Sequence, residues 1–485
     1  MDAFDSFERL LTDTAQRGIR YRREITARAV VPTAAALDAL AALDEPTPEV
    51  PAADADVIEL LDRIGSPATI ASAGGRYFGF VTGSSLPATV AANWMASAWD
   101  QNMTLAVMSP IGAKLEAVAS RWIVDLLGFH STCGIGFVTC ATMANLCGLA
   151  AARHALLERQ GWDVEARGLF EAPPITVVVG NEVHVSLLKA LSLLGLGRER
   201  IVRVPADDQG RIRADAMPAL DDRTILCLQA GNVNTGAFDP ADAIVPLARA
   251  AGAWVHVDGA FGLWAAAAPE RAHLMRGYAD ADSWATDAHK WLNVPYDCGL
   301  AIVREPKHLR AAMSATASYL IADDRHDPSD YTPEFSRRMR GIEVWAALRA
   351  LGRQGLADLV ERNCRQATRF ADGLRRHGFT VLNDVVINQV MVSFGDAETT
   401  RRVIATVQRD GVCWMGGTVW QGHTAMRISV SSWMTTDDDV DRSVEAIARA
   451  AAEVMSGGTR ATGADAASGT REAGGARGGR GERHA

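Results

Sequence analysis

Short apolar segments alternate with longer amphipathic segments between about residues 106 and 310. The apolar runs contain few polar positions, as in IGFVT, ITVVVG, RIVRV, TILCLQAG, WVHVDGA and GLAIVRE. Strands of this kind are buried on both faces, because helices cover a parallel sheet on both sides. Segments between them, such as ADAIVPLARAAG, have the periodicity of helices. The pattern predicts an α/β domain with a mostly parallel sheet over residues 106–345.

The rest of the chain divides into three parts. Residues 1–105 mix helical periodicity with the proline-rich stretch DEPTPEVPAAD and predict an N-terminal helical segment. Residues 346–455 contain long amphipathic helices and two strand-like pieces, QVMVSF and AMRISVSS, which predict a smaller α+β domain. Residues 456–485 consist mainly of Gly, Ala, Arg and Ser, so we expect a disordered tail.

Composition restricts the class of partner. A net charge of −9 gives no general attraction to nucleic acids or anionic membranes, and there is no apolar run of about 18 residues that would span a bilayer. The seven cysteines include no CxxC pair, so we expect neither a disulfide framework nor a metal site. The acidic start MDAFDSFERLL does not resemble a signal peptide. We therefore expect a cytoplasmic protein that acts on a small molecule.

Ligands bind an open parallel sheet beyond the carboxyl ends of its strands, so the residues after each apolar run are candidates for chemistry. After GIGFV, the small residues of TCATMAN (139–145) lead into a helix whose first N–H groups attract an anion such as phosphate. Thr142 alone is equally consistent with a helix cap. After ITVVVG, His184 stands near the start of a helix, where it can stack on a flat ring or pass protons; a purely structural histidine is the alternative.

Asp258 and Lys290 occupy the next two positions of this kind. A carboxylate such as Asp258 at the end of a buried strand needs a cation opposite it, and a structural salt bridge is one alternative. Lys290 lies in an apolar passage of small residues, DSWATDAHKW, where a lysine needs a partner or must lose its charge, for example as an imine with an aldehyde. A phosphate site, a stacking histidine, a strand-end aspartate and a buried lysine together predict a pyridoxal 5'-phosphate (PLP) site.

Four motifs carry a resemblance to a known family: SWATDAHKWLNVPYDCG, NEVHVSLLKALSLLG, AGNVNTGAFDP and WVHVDGAFG. Together they resemble the PLP-dependent group II decarboxylases, a fold-type I family that includes aromatic-L-amino-acid, histidine and glutamate decarboxylases. The resemblance extends from about residue 60 to about residue 450. It implies the fold-type I PLP-dependent transferase fold, with a large cofactor-binding domain and a small C-terminal domain. It also implies a homodimer in which the N-terminal segment contributes to dimerisation and to the substrate pocket.

The resemblance assigns roles to individual residues. It implies that Lys290 forms the internal aldimine with PLP, that Asp258 pairs with the pyridine nitrogen, and that His184 stacks on the ring and acts in proton transfer. Ala141 and Thr142 would lie at the phosphate, where this chain reads TCATMAN in place of the family's more usual TSGGTEAN. The remaining cofactor contacts that it implies are Asn232, Ala260 and His289.

The same resemblance places a catalytic tyrosine and the substrate side of the pocket. Tyr319 matches a loop tyrosine that protonates the former α-carbon and so favours amine formation over an aldehyde; an ordinary loop tyrosine is the alternative. Tyr77, Phe78 and Phe80 would line the substrate pocket and suit an aromatic or apolar side chain, although packing explains three aromatics equally well. Arg427 stands where many fold-type I enzymes bind a carboxylate, but group II decarboxylases need not use it in this way.

The sequence accordingly predicts an L-amino acid decarboxylase that releases an amine and carbon dioxide through a Lys290 aldimine. An aminotransferase, a carbon–carbon lyase and an oxidative aldehyde synthase would share Lys290 and Asp258, so they are alternatives. A non-catalytic protein that kept the fold is an alternative from another class. Which amino acid is used depends on pocket shape, which a sequence does not display.

Overall fold

The computed structural model describes residues 3–315 and 327–461. The helices are α1 (Ala3–Glu24), α2 (Ala34–Asp38), α3 (Asp54–Leu60), α4 (Ser66–Ala68), α5 (Pro87–Trp99), α6 (Pro110–Leu127), α7 (Ala141–Arg159), α8 (Val164–Arg167), α9 (Val185–Leu193), α10 (Ala241–Ala250), α11 (Pro306–Met313), α12 (Gly341–Arg376), α13 (Ala397–Asp410) and α14 (Asp437–Ala461). The strands are β1 (Gly134–Val138), β2 (Thr176–Gly180), β3 (Val202–Val204), β4 (Thr224–Gln229), β5 (Trp254–Asp258), β6 (Ser283–Asp287), β7 (Gly299–Val303), β8 (Thr380–Val381), β9 (Gln389–Ser393), β10 (Gly416–Trp420) and β11 (His423–Ser429).

The larger sheet has seven strands in the order β1-β7-β6-β5-β4-β2-β3. Strand β7 is antiparallel to both of its neighbours, and the pairs β6-β5, β5-β4, β4-β2 and β2-β3 are parallel. The fold-type I α/β architecture predicted from the sequence is therefore confirmed. The parallel arrangement brings the carboxyl ends of β4, β5 and β6 to one edge of the sheet.

Successive side chains of the central strands enter different cores. In β4, Leu226 and Leu228 belong to a cluster on one face of the sheet, whereas Ile225 and Cys227 belong to a cluster on the other face. This alternation follows from the two-residue period of a strand. Each fully buried leucine or isoleucine contributes roughly 1.5–3 kcal/mol, and the continuous apolar runs in the sequence reflect burial on both faces.

The second sheet is antiparallel, in the order β10-β11-β9-β8, and has its own hydrophobic cluster. Helix α12 connects the two cores: Val360 and Cys364 pack in the large one, and Ala367 and Phe370 pack in the small one. The chain leaves the helical conformation once within α12, at Gly352, where φ is 61°. A residue without a Cβ tolerates this conformation at little cost.

The two ends of the chain are helical in the described residues. Helices α1 to α5 form the N-terminal region. Helix α14 continues to Ala461, so the tail expected from residue 456 begins with residues that are helical. Among residues 3–315 and 327–461, no helix is long and apolar enough to cross a membrane. All seven cysteines fall in these ranges and are free thiols.

Candidate active site

Two acidic residues end neighbouring strands at one edge of the large sheet. Asp258 is the last residue of β5, and Asp287 is the last residue of β6. Lys290 follows Asp287 by three residues, in the turn after β6. Because β5 and β6 are parallel neighbours, the structure brings Lys290 to the same edge as Asp258.

Lys290 is held from two sides. Its Nζ lies 3.0 Å from Oδ2 of Asp287, and its side chain is only 19% exposed. The chain around Gly83 covers its backbone so closely that a Cβ at Gly83 would lie 1.9 Å from the Lys290 carbonyl oxygen. Asn293 fixes the following turn through two hydrogen bonds. Its backbone carbonyl oxygen accepts the Leu86 N–H, and its side-chain Oδ1 accepts the Ser84 N–H. The lysine is therefore a partly buried cation with a defined direction.

The carboxylate of Asp287 collects three donors. Oδ1 accepts the Ala141 N–H at 2.5 Å and lies 3.4 Å from Nε2 of His289, while Oδ2 faces Lys290. Nδ1 of His289 accepts the Cys298 N–H at 3.1 Å, so the proton of a neutral His289 is on Nε2. Burial lowers the pKa of His289, and Lys290 opposes its protonation further, although Asp287 raises this pKa. Asp287 thus orients both members of the His289-Lys290 pair.

Asp258 has a buried carboxylate without a cation. The residue is 5% exposed, and its oxygens accept from two neutral groups: Asn145 Nδ2 at 3.1 Å and Ala260 N at 3.2 Å. In the described parts of the chain, no lysine, arginine or histidine nitrogen lies within 4.0 Å of this carboxylate. A buried charge in this state is costly, so the site calls for a cationic ligand group opposite Asp258.

A row of buried hydrogen bonds supports the Asp258 carboxylate from behind. Asn145 Oδ1 lies 2.8 Å from His256 Nε2, and His256 Nδ1 lies 2.8 Å from Ser283 Oγ, which accepts the Trp254 Nε1–H at 2.9 Å. Because Ser283 then donates its own proton to Nδ1, His256 carries its proton on Nε2 and donates to Asn145. Burial lowers the pKa of His256 to about 3, so this histidine stays neutral. The whole row is fixed in one direction.

His184 stands at the same edge as the N-cap of α9. Its Nδ1 accepts the Ser186 N–H at 3.2 Å, which leaves Nε2 for other partners. Burial lowers the pKa of His184; Asp258 opposes this effect, and Lys290 and Arg427 reinforce it. The charges of Asp258, Lys290 and Arg427 therefore lie close enough to His184 to affect its protonation.

Helix α7 begins directly after β1 at this edge. Its N-cap residue, Cys140, forms no side-chain hydrogen bond to the first turn, which contains Ala141 and Thr142. The first N–H groups of a helix have no partner within the helix, and they attract anions. In this structure the Ala141 N–H donates to Asp287, so a carboxylate of the chain itself already stands at this position.

Two predicted site residues have other contacts. Asn232 is 1% exposed, and its Oδ1 accepts from Asn234 N and Thr235 N while its Nδ2 donates to Gln229. The side chain thus stabilises its own loop, and the cofactor contact predicted for it stays a prediction. Phe78 is also 1% exposed and packs edge-on against Phe370 in the small core, not in the pocket. Its backbone pairs with Trp414 in an extended segment, where adjacent side chains point in opposite directions.

The other two aromatics of that segment share one neighbour. The Tyr77 ring stacks on Trp414 at a centroid distance of 5.0 Å, and Phe80 lies 5.3 Å from the same indole. Burial raises the pKa of Tyr77 to about 12, and a further contribution comes from Tyr296, whose ring lies 4.4 Å from that of His289. We call Tyr77, Phe80, Trp414 and Tyr296 the aromatic cluster.

Arg427 on β11 is the remaining cation. Burial lowers the pKa of this guanidinium, and within the described residues it forms no ion pair. Tyr319 lies outside the described residues, so its predicted role stays a prediction.

Sequence reasoning did not select Asp287, Asn145 and His256 as site residues. The rule that identified Asp258, a carboxylate at the end of a buried strand, applies equally to Asp287 in SWATD. Asn145 and His256 carry no such signal, because both lie inside their elements, in α7 and β5, and not directly after a strand. Their relation appears only when α7 packs on β5. Gly148 permits this packing, since a Cβ there would lie 2.7 Å from the His256 ring.

Comparison with known proteins gives one family and several relatives. The model of the pyridoxal-dependent decarboxylase conserved domain matches residues 42–394. The acidic amino acid decarboxylase GADL1 of Mus musculus is 27% identical over 314 residues, which is 61% of this chain and 55% of that protein. The aromatic-L-amino-acid decarboxylase of Bacillus atrophaeus is 27% identical over 290 residues, 57% of this chain and 58% of that protein. The matches thus span little more than half the length of these two relatives.

Similarity of structure extends further along the chain. The crystal structure of Oryza sativa TDC with PLP and tryptamine has a TM-score of 0.85 and covers 94% of this chain and 99% of that one, at 23% identity. At this identity the likeness establishes the fold.

Proposed function

Because this chain belongs to the pyridoxal-dependent decarboxylase family, we propose that it removes the carboxyl group of an L-amino acid as carbon dioxide, with PLP as its cofactor. One observation carries the proposal: among residues 3–315 and 327–461, no cation faces the buried carboxylate of Asp258, which lies one strand away from the partly buried Lys290. A protonated pyridine nitrogen would supply the missing charge, and an aldehyde would react with the lysine amine.

The residues present fit this cofactor. We assign the ring nitrogen to Asp258, the aldehyde to Nζ of Lys290, and the phosphate to the first turn of α7 at Ala141 and Thr142, with His289 beside it. The absence of a side-chain cap at Cys140 supports the phosphate position, since it leaves donors for an external anion. Ala260 lines the edge next to Asp258. The position of Asp287 means that Ala141 would share its N–H between this carboxylate and a phosphate.

Bound in this way, the cofactor supplies an electron sink for the charge that decarboxylation leaves on the α-carbon. Asp258 keeps the ring nitrogen protonated, and Asn145 keeps Asp258 in place. Lys290 holds the proton at Nζ within reach of the site, and Asp287 orients this amine. His184 covers the site as a neutral imidazole whose proton is on Nε2, the nitrogen that is not used in the helix cap.

For the substrate we propose an aromatic or apolar side chain. The aromatic cluster supports this class, because Tyr77, Phe80 and Trp414 offer ring faces for stacking. Arg427 is a partly buried cation without a carboxylate partner in the described residues, and we assign it to the substrate carboxylate. An acidic side chain is the second candidate, since Arg427 would serve it equally.

The test is a product assay with each of the twenty amino acids. We expect carbon dioxide and the amine from one or a few aromatic amino acids, and borohydride should fix the cofactor on Lys290 in a peptide that mass spectrometry identifies. Lys290→Ala should abolish both results, and Lys189→Ala, at an exposed position on α9, should abolish neither. A keto acid without carbon dioxide would instead identify an aminotransferase, and an aldehyde formed together with carbon dioxide and peroxide would identify an oxidative aldehyde synthase.

Tyr319 remains the proposed proton donor to the α-carbon. Its replacement in Tyr319→Phe should shift the product from amine toward aldehyde. Amine as the unchanged main product would assign the proton to another group.

We also propose a homodimer in the cytoplasm. Exposed apolar side chains on the N-terminal helices, Phe7 and Leu11 on α1 and Trp94 and Trp99 on α5, support an interface there. Trp94→Glu should convert the dimer to a monomer in light scattering, whereas Val419→Glu, at an exposed position on β10, should not.

The seven free thiols are typical of a reducing compartment, and cell fractionation tests this location.

A further inference from the structure

A second group of ligating side chains lies far from the sheet edge. Three residues, His154 and Glu158 on α7 and His308 on α11, offer ligand atoms that all lie within 4.8 Å of one another. Thirteen residues of α7 separate His154 from Ala141, which corresponds to roughly 20 Å along a helix. We call these three residues the His154 cluster.

The spacing of the cluster follows from its two helices. His154 and Glu158 are four residues apart, so they share one face of α7. Glu158 Oε2 lies 3.7 Å from His154 Nε2 and 3.7 Å from His308 Nδ1. One carboxylate oxygen therefore faces one nitrogen of each imidazole.

The nitrogen of His308 that faces the cluster has no hydrogen-bond partner. His308 is only 6% exposed, and its Nδ1 is buried and unsatisfied. Buried polar atoms in folded proteins are nearly always paired with protein, water or an ion. A neutral imidazole has a lone pair on one ring nitrogen, so a buried Nδ1 without a partner is suited to accept a ligand at this point.

The opposite nitrogen of each imidazole faces a carboxylate. His154 Nδ1 lies 2.7 Å from Glu165 Oε2, and His308 Nε2 lies 3.8 Å from Glu305 Oε2, which also binds Lys307. Histidines that bind metal usually donate their other N–H to a carboxylate or carbonyl group. The arrangement directs His154 Nε2 and His308 Nδ1 toward the same point, next to Glu158.

From this geometry we propose that His154, Glu158 and His308 bind a divalent transition-metal ion, with Zn²⁺ as the best match. Two imidazoles and one carboxylate form a frequent donor set for zinc, and water would complete the tetrahedron. Ligand atoms of a tetrahedral zinc site lie roughly 3.4 Å apart, given bond lengths of about 2.0–2.1 Å. The two separations from Glu158 are 3.7 Å, and all three ligand atoms lie within 4.8 Å of one another, so side-chain rotations would have to bring them closer to reach this value.

The ion would act on stability. It would link α7, which begins at the candidate active site, to α11, which follows β7 of the same sheet. Glu165 at α8 would join the link through His154. Because the cluster is distant from Lys290 and Asp258, the proposal does not depend on the proposed decarboxylase reaction.

The test is zinc binding by the holoenzyme, prepared without a histidine tag and dialysed against a chelator. Calorimetric titration with Zn²⁺ should show one strong site per chain, and Co²⁺ in its place should give visible absorption bands of a low-coordinate site, read as a difference from the cofactor spectrum. Zn²⁺ should also raise Tm by several degrees.

Variants decide whether the site is this cluster. Glu158→Gln changes a side chain that is 60% exposed and so leaves the packing intact. This variant and His154→Gln should each weaken Zn²⁺ binding by at least about 100-fold and abolish the rise in Tm. Glu165→Gln should weaken it about 10- to 100-fold. The control His130→Gln changes an exposed histidine elsewhere and should leave binding intact. Absence of the strong site, or Zn²⁺ affinity that Glu158→Gln and His154→Gln leave unchanged, would overturn the proposal.

Discussion

The side-chain amide of Asn145 donates to Oδ2 of Asp258 at 3.1 Å, across a separation of 113 residues in the chain. The same amide group accepts from His256 through its oxygen, so it joins a helix, a strand end and a neutral histidine in one row. The direction of each hydrogen bond in the row is fixed, because each atom that takes part can act there only as a donor or only as an acceptor. Asn145 is therefore a positioning residue for the carboxylate that we assign to the cofactor nitrogen.

Asn145→Ala should weaken cofactor binding. Removal of the amide leaves Asp258 with one donor fewer and His256 without its acceptor, so we expect about 10- to 100-fold lower affinity for PLP. Titration of the apoenzyme with PLP, followed by absorbance, measures this change. Asn388→Ala, which removes an equally buried asparagine directly before β9, should leave the affinity near that of the wild type. Equal losses in both variants would indicate a general effect on folding.

Asp287 and Lys290 should be coupled in the stability of the apoenzyme. Loss of one partner of a buried ion pair costs about 3–5 kcal/mol, because the other charge stays buried alone. Because the Lys290 side chain is 19% exposed, we expect Asp287→Asn to reduce the free energy of unfolding by less than this, about 1–3 kcal/mol in urea, and much less when Lys290→Met is also present. A coupling energy near zero in the double-mutant cycle would mean that the 3.0 Å pair does not contribute to stability.

His256 should make stability depend on pH. Burial lowers its pKa to about 3, whereas an unfolded histidine has a pKa of about 6.5. Between these values the unfolded state binds a proton that the folded state does not bind. The free energy of unfolding therefore decreases as pH falls from about 6.5, by about 1.4 kcal/mol per pH unit and about 5 kcal/mol in total.

Urea unfolding between pH 7 and pH 4 measures this contribution. His184, His289 and His308 also have lowered pKa values and add to the slope of the wild type. His256→Gln should reduce the pH dependence of the free energy of unfolding by about one proton. The contribution of the other three histidines should remain. Identical slopes in wild type and variant would show that His256 is protonated in the folded protein.

Phe78 and Tyr77 should respond differently to truncation. Phe78→Ala removes a fully buried ring from the small core and should cost about 3–5 kcal/mol of stability, with little change in substrate preference. Tyr77→Ala removes one ring of the aromatic cluster and should raise KM for aromatic substrates at a smaller cost in stability. Urea unfolding and steady-state kinetics on both variants distinguish the two roles. A selective change of KM in Phe78→Ala would place that ring in the pocket after all.

Arg427 should contribute to substrate binding more than to folding. Arg427→Met removes a charge-assisted hydrogen bond to the substrate and should raise KM about 10- to 100-fold. The free energy of unfolding should change little, because no carboxylate partner in the described residues would be left unpaired. Arg401→Met, which changes an exposed arginine that pairs with Glu398, is the matched control. If KM stays constant, another group recognises the substrate carboxylate.

The sequence by itself determined the α/β fold and the edge at which the candidate residues meet. Continuous apolar runs indicated strands buried on both faces, and the residues after them, His184, Asp258 and Lys290, follow from the geometry of a parallel sheet. These features depend on short stretches of chain, whose period of two or of 3.6 residues is visible in the letters.

Only the tertiary structure decided which side chains face each other at that edge. In the structure, Phe78 packs in the small core, and Asn232 forms hydrogen bonds within its own loop. Asn145 contacts both His256 and Asp258. The tertiary structure also brought His308 of α11 to His154 of α7, where the sequence had suggested no metal site. Contacts of this kind join residues that are far apart in the chain. They depend on how a helix packs on a strand or on another helix, and local periodicity does not encode that packing.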